Sequence, residues 1–299
     1  MASQRDVKNR ISSVKNIQKI TRAMEMVAAA RLRRAEQRIV ALRPYAQALR
    51  RMTRQAALAA GAEATRLPLL TEREHPKNVG LLLVTGDRGL AGGFNSQVIR
   101  AGVRAGSELS EQGLQTIWFA AGRRGVSSLS FRGRELSGGY TGFADRPAYA
   151  DARTIAEDLI SDYVDGQLDR VDIIYNSYVS PLSQTVTRET LLPLSKATIT
   201  QEDPEEEAQR SGPQPLVEYE PDPEQLLKRL VPDYVEISIY RALIESTAGF
   251  FGAQMTAMRS ASDNAGEIIT DLTLQMNRAR QAEITQEIME VVAGAEGLT

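Results

Sequence analysis

A glycine-free run at the start of the chain constrains its fold more than any other feature. No glycine stands between Ser3 and Leu58, and apolar residues recur at Val7, Ile11, Val14, Ile17, Met24, Val27, Ala35, Ile39 and Leu42. Glycine is a poor helix interior residue, and apolar residues at helical spacing without interruption point to one long amphipathic helix. The other end carries a matching stripe. From Ile244 the steps alternate four and three through Ala248, Phe251, Met255, Met258, Ser262, Ala265, Ile269, Leu272, Met276 and Ala279. A heptad seam held over that distance is the pattern of a coiled coil. Helices of roughly 55 to 60 residues reach about 80 to 90 Å at 1.5 Å per residue. A compact domain of this chain length is only about 40 Å across, so the spacing predicts helices that project beyond a core.

Two prolines fall inside these patterns. Each removes a backbone hydrogen bond, which predicts a bend at Pro44 and a break or kink at Pro232. Ser3, with Asp6 three residues on, reads as a loose capping box at the first helix. Past Ala279 the apolar phase slips to Ile284, Ile288, Val291 and Val292, a stutter in the repeat.

Between the helices the pattern changes. Val79–Val84 is a short continuous apolar run, as in a strand buried on both faces. A glycine-rich turn follows, then a helix from Ser96 to Gln112, a strand at Leu114–Ala120 and a helix at Gly122–Leu129. Ala150–Asp165 reads as a third helix, and Val171–Val179 and Gln184–Leu192 as strands rich in β-branched residues and tyrosine. Alternating strands and helices predict a Rossmann-like α/β domain on a parallel or mixed sheet. The expected layout is an N-terminal coiled-coil helix over 1–65, a central α/β domain over 66–200, an acidic loop over 201–222 and a C-terminal coiled-coil helix over 223–299.

The 299 residues contain no cysteine and one histidine, His75, beside Pro76 in a polar connection. That excludes disulfides, thiolate metal sites and multi-histidine metal sites, and a lone histidine in a polar connection argues against a histidine-dependent triad. No metal or cofactor is expected. No stretch is apolar enough to cross a bilayer. The net charge of −2 hides a strong asymmetry: residues 1–54 hold 14 Lys or Arg against 3 Asp or Glu, whereas residues 201–225 hold 9 acidic residues and one Arg. The basic face of the first helix, with Arg31, Arg33, Arg34 and Arg38, is either solvated or meets an acidic partner. Nucleic acid is disfavoured, because the first 93 residues hold a single aromatic, Tyr45, and single-strand binders use aromatic stacking platforms.

Thr85–Asn95 (TGDRGLAGGFN) lies between a strand and a helix, where phosphate loops sit. It lacks the lysine of a Walker loop and the glycine spacing of a dinucleotide fold. Tight turns alone account for such glycines. Polar residues at Asp263–Asn264 and Asn277–Gln281 interrupt the second helix, and its outer positions, including Arg280, Gln281, Thr285 and Glu287, are available to an enclosing partner.

Four stretches carry a family resemblance: Ile20–Arg38 (ITRAMEMVAAARLRRAEQR) with Arg43–Ala46, the loop Thr85–Asn95, Tyr219–Pro223 with Ala261–Ile269 (ASDNAGEII), and Asn277–Ala295 (NRARQAEITQEIMEVVAGA). The chain resembles the γ subunits of F-type ATP synthases. The resemblance implies a non-catalytic rotor whose terminal helices form an antiparallel coiled coil inside a ring of three α and three β subunits. The α/β domain would contact the ε subunit and the c-subunit ring, peripheral to the cell membrane on its cytoplasmic side. Proton flow through the c ring would turn the chain and drive ATP synthesis in the α/β hexamer. By the same resemblance Met24 would lie beside acidic lever loops of β, Arg280 and Gln281 would meet a catch loop, and Thr285 and Glu287 would be coupling positions. Ile288, Val291 and Val292 would turn in an apolar sleeve, and the basic Arg33 and Arg34 would face acidic loops of β. The chain departs from the family pattern at Gln254, Pro232 and Gly297, and it lacks the cysteine-bearing insert of chloroplast members. The rival readings are a nucleotide-binding α/β enzyme with coiled-coil arms and a basic nucleic-acid binder.

Overall fold

The computed structural model describes residues 4–61, 67–194 and 222–296. The capping box at Ser3, the acidic loop apart from Asp222, and Gly297 lie outside them. In chain order the elements are helix α1 (Gln4–Ala60), strand β1 (Asn78–Val84), α2 (Phe94–Glu111), β2 (Gln115–Ala121), α3 (Arg123–Phe131), β3 (Leu136–Tyr140), α4 (Tyr149–Val164), β4 (Arg170–Ser180), β5 (Ser183–Leu192) and α5 (Pro223–Glu296). The chain divides into two units, one of residues 31–253 and one of residues 1–30 with 254–299.

The larger unit holds a five-stranded sheet in the order β3-β2-β1-β4-β5. β1 to β4 run parallel, and β5 turns back antiparallel on β4. The mixed sheet meets the expectation of Rossmann-like winding, with the strand order reversing at β1. Alternate residues of β1 divide between two cores. Val79, Leu81 and Leu83 pack with Val98, Ala105 and Leu109 of α2 and Leu129 of α3. Leu82 and Val84 pack with Ile155 and Leu159 of α4 and with Leu227, Val231, Val235, Ile239 and Leu243 of α5. Both faces are covered, so the continuous apolar run of β1 is what its position demands. β3 (LSGGY) is a strand that the apolar pattern does not announce.

The prolines do not end their helices. α1 runs through Pro44 and α5 through Pro232, so no break at Pro232 is found. A proline leaves the carbonyl four residues earlier without its helical donor. Here those carbonyls belong to Val40, 62% exposed, and to Lys228, also exposed, where water can satisfy them.

The smaller unit pairs the first part of α1 with the last part of α5. Gln18 Nε2 donates to the Ser262 carbonyl at 3.3 Å, and Arg259 Nε donates to Glu25 Oε1 at 2.8 Å. Ascending numbers on one helix meet descending numbers on the other, so the pair is antiparallel. On α5 the expected seam holds. Met258, Ser262 and Ala265 are buried, and Met255, Ile269, Leu272, Met276 and Ala279 are half-buried. Asp263 and Asn264 are exposed and do not interrupt it.

On α1 the seam keeps the expected stripe at Val7, Ile11, Val14, Ala35, Ile39 and Leu42 and leaves it at Ile17, Met24 and Val27. Ile17 and Val27 are 53% exposed, whereas Val7, Ile11, Thr21 and Ala28 are buried and Val14, Gln18 and Glu25 half-buried. Steps of four and three from Val7 through Val14, Gln18, Thr21, Glu25 and Ala28 form the true heptad. Within the larger unit the same steps reach the buried Leu32, Ala35, Leu49, Thr53 and Ala56.

Candidate functional site

In the larger unit the glycine-rich loop after β1 is closed on itself by side chains. The amide of Gly86 donates to Asn95 Oδ1 at 2.8 Å, and Asn95 Nδ2 donates to the Arg88 carbonyl at 3.0 Å. Asp87 reaches further. Its Oδ1 accepts from the amide of Arg123 at 2.8 Å, and its Oδ2 accepts from the amides of Gly142 at 3.1 Å and Ala144 at 3.0 Å. Arg123 is the first residue of α3, whose preceding residue is Gly122 and offers no side-chain cap. A carboxylate at a helix N-terminus satisfies an orphan amide and faces the positive end of the helix dipole. The amide at the N-terminus of α3 is therefore occupied by the chain's own anion.

The crevice at the ends of β1 and β4 is where open α/β sheets bind ligands. Here α5 fills it. The edge ring contact of Phe94 with Phe250 has a centroid distance of 5.6 Å, and Thr247 Oγ1 donates to the Ala144 carbonyl at 2.9 Å. The space left between Val84, Thr85, Phe143, Thr247 and Phe250 is about 10 Å³, room for no more than a water molecule. Two glycines permit the close approach. A Cβ on Gly86 would stand 2.9 Å from the Phe250 ring, and one on Gly122, at φ +100°, would stand 2.1 Å from the Thr85 carbonyl oxygen. The loop is a joint between sheet and helix, and its sequence signal is an aspartate directly after Gly86 in a glycine-rich turn.

On the α1 side of this unit, Arg31 pairs with Asp145 at 3.3 Å and lies over the Phe251 ring. Arg33 and Arg34 are exposed, with no acidic partner among the described residues. Tyr178 of β4 donates to Glu36 of α1, and Tyr149 of α4 donates to Glu236 of α5. Burial, reinforced by these carboxylates, pushes both phenols well above the ordinary tyrosine value. Both hydroxyls thus remain protonated donors, as structural ties require.

The remaining candidate residues belong to the smaller unit. Met24 is half-buried beside the seam. Ile17, Ile20 and Val27 lie with it at steps of three, four and three, and are more than half exposed. They form a second apolar stripe outside the intrachain seam. On α5 every residue from Arg280 to Ala293 is exposed. Arg280, Gln281, Thr285 and Glu287 share that stretch with Ile288, Val291 and Val292, at 57%, 72% and 48% exposure. The Thr285 hydroxyl donates back to the Gln281 backbone carbonyl at 2.8 Å, and Gln281 is exposed. The structure thus groups the seven α5 candidates on one uncovered helical stretch. Arg280, Gln281, Thr285 and Glu287, read from the sequence as outer positions, are exposed, whereas Asp87, Ala144 and Thr247 were missed as a connected set. Among the described residues no group of acidic or histidine side chains has metal-binding geometry, and no helix is long and apolar enough to cross a membrane.

Comparison with known proteins gives a single picture. The family model described as ATP synthase matches residues 3–298. The ATP synthase gamma chain of Rubrobacter xylanophilus is 43% identical over 298 residues, covering 100% of this chain and 99% of its own. That of Streptomyces coelicolor is 42% identical, covering 99% and 96%, and that of Desulfitobacterium hafniense is 42% identical, covering 100% of both. Among solved structures, a chain of the Euglena gracilis mitochondrial ATP synthase (OSCP, F1 and c-ring) aligns with a TM-score of 0.65 at 13% identity, covering 99% of this chain and 94% of its own. A chain of the Tetrahymena thermophila mitochondrial ATP synthase central stalk and c-ring aligns with a TM-score of 0.61 at 24% identity, covering 81% and 99%. The structural likeness establishes the fold, and full-length identity above 40% establishes the lineage: the chain belongs to the ATP synthase gamma-chain family.

Proposed function

We propose that this chain is the central rotor of a proton-translocating F-type ATP synthase, carrying rotation from the c-subunit ring to the α/β catalytic hexamer. The observation that carries the reading is the uncovered end of α5. Ile284, Ile288, Met289, Val291 and Val292 are 46–72% exposed on one helix, and monomeric proteins rarely leave such stripes unpartnered. An enclosing apolar sleeve of α and β subunits supplies the cover. The outer stripe Ile17, Ile20, Met24 and Val27 and the exposed cations Arg33 and Arg34 fit the same ring, the cations against its acidic loops.

In this reading the chain has no catalytic role. Its contribution is differential contact: a rotor drives a partner between states only by binding those states unequally. ATP chemistry belongs to the hexamer, because the loop after β1 has no Walker lysine and its Gly86 amide is bound to Asn95. The α/β body contacts the ε subunit and the c ring, so the chain is peripheral to the cell membrane on its cytoplasmic side. Arg280 and Gln281 act as a latch on a β loop, and Thr285 and Glu287 act as coupling positions.

The test is reconstitution. The chain should co-purify with α, β, ε and c subunits, and membranes carrying the complex should acidify vesicles on ATP addition only when the chain is present. Saturable ATP binding by the isolated chain, with no requirement for it in pumping, would overturn the reading in favour of an enzyme.

A further inference from the structure

The loop joining β3 to α4 has more partners than a connection needs. Its Gly142 and Ala144 amides are held by Asp87, and its Asp145 carboxylate is held by Arg88 Nε at 3.4 Å. The other side of the loop grips both long helices. The Ala144 carbonyl accepts from Thr247 of α5 at 2.9 Å, and Asp145 accepts from Arg31 of α1 at 3.3 Å. Arg31 in turn lies 5.5 Å over the ring of Phe251 on α5. Residues 142–145 therefore tie the sheet to α1 and α5, and Asp87 sets where they stand.

We propose that Asp87 is a positioning residue for rotation, pinning the 142–145 loop so that the α/β body and the two long helices turn without slip. This rests on the rotor reading above. The apolar cores under α5 resist separation, but hydrophobic contact is non-directional and gives little resistance to sliding. Hydrogen bonds lose strength steeply with angle, so they fix register where apolar contacts do not. Three amides converging on one carboxylate, relayed through Ala144 to Thr247 and through Asp145 to Arg31, supply that direction at the end of the sheet where α5 crosses it.

Complexes carrying Asp87→Asn or Thr247→Val, matched to wild type for subunit content, test the assignment. An asparagine keeps one acceptor and presents a donor to amides that are donors themselves. The valine removes the hydroxyl's bond to the Ala144 carbonyl, together with its bond to the Leu243 carbonyl within α5. In both, protons pumped per ATP hydrolysed should fall at least twofold while hydrolysis stays within twofold of wild type. A purely structural residue would lower the amount of complex but leave that ratio alone. Amide exchange of Gly142 and Ala144 in the complex should also accelerate at least tenfold in Asp87→Asn. Wild-type ratios in both variants would overturn the proposal, and if Asp87→Asn does not assemble, a wild-type ratio in Thr247→Val alone overturns it. A wild-type chain that supports no pumping would instead sink the rotor reading, with the exchange rates still deciding whether Asp87 holds the loop.

Discussion

Glu25 and Arg259 meet across the antiparallel coil at 2.8 Å, with Glu25 at a heptad position where an apolar residue is the rule. Two turns away along α1, Gln18 donates to the Ser262 carbonyl, and Thr21 donates to the Gln18 carbonyl. Polar layers of this kind specify register in coiled coils at some cost in stability. Their partners are fixed in position, whereas apolar side chains accept a slip.

The ion pair is therefore expected to contribute modestly to stability and more to alignment. Arg259 is 59% exposed, which limits the pair to about 0.2–1 kcal/mol. Glu25→Arg should speed amide exchange across Gln18–Ala28, and adding Arg259→Glu should restore most of the protection. A double variant no better protected than the single one would show that the pair does not align the helices.

That polar layer also marks the limit of what was legible in sequence. The α5 seam was readable because each of its positions from Ile244 to Met258 is apolar. The α1 seam was not, because Gln18, Thr21 and Glu25 occupy it while Ile17, Ile20, Met26 and Val27 sit outside. Apolar residues there serve a second face, and counting them as seam shifts the phase. β3 escaped notice because Gly138 and Gly139 have low strand propensity, and its pairing with β2 holds it. The role of Asp87 depends on amides 36 to 57 residues away, which no local pattern encodes. The outward placement of Arg280 to Val292 was legible because the apolar phase slips after Ala279.

Acid should loosen the base of the sheet at Asp169. Its carboxylate accepts from Arg73 Nη1 at 2.9 Å and from the amides of Lys77 at 2.7 Å and Asn78 at 2.8 Å. Burial pushes its pKa up, but these donors and the Arg73 charge outweigh burial and hold it below the usual aspartate value. A depressed folded pKa means stability that is present above the unfolded value near 3.9 and is lost as pH falls through the folded one. Asp169→Asn should cost about 1.5–3 kcal/mol at neutral pH, the range for hydrogen bonds to a charged group. It should also flatten the stability profile below about pH 4. Urea unfolding at pH 7 and pH 3 checks both, and equal pH dependence in the two chains would refute the assignment.

Packing of α2 on β1 offers a sharper test of the α/β body. A Cβ at Gly102 would stand 2.5 Å from Leu83 Cδ2, and Leu83 is fully buried. Gly102→Ala should therefore destabilise by about 1–3 kcal/mol despite the better helix propensity of alanine. Adding Leu83→Ala should relieve the clash, leaving the double variant more stable than the sum of the two single losses predicts. Strict additivity of the three unfolding free energies would mean the two residues do not collide.

The last prediction concerns the uncovered end of α5. Arg280 and Gln281 are exposed and lie beyond Ala279, the final half-buried seam residue. They serve no intrachain core, so changing both to alanine should alter chain stability by no more than about 0.5 kcal/mol. A guanidinium donates two parallel bonds to a carboxylate, and the Gln281 amide both donates and accepts. In the proposed rotor such groups matter only where they bind one state of a partner better than another. The double variant should assemble normally yet lower the rates of ATP synthesis and ATP-driven proton pumping, each by severalfold, in complexes matched for subunit content. Thr285→Ala should do less, because its hydroxyl is already bonded to the Gln281 carbonyl. Wild-type rates in a normally assembled Arg280→Ala, Gln281→Ala complex would remove these two residues from the coupling surface, leaving the apolar stripe of Ile288, Val291 and Val292 to account for contact there.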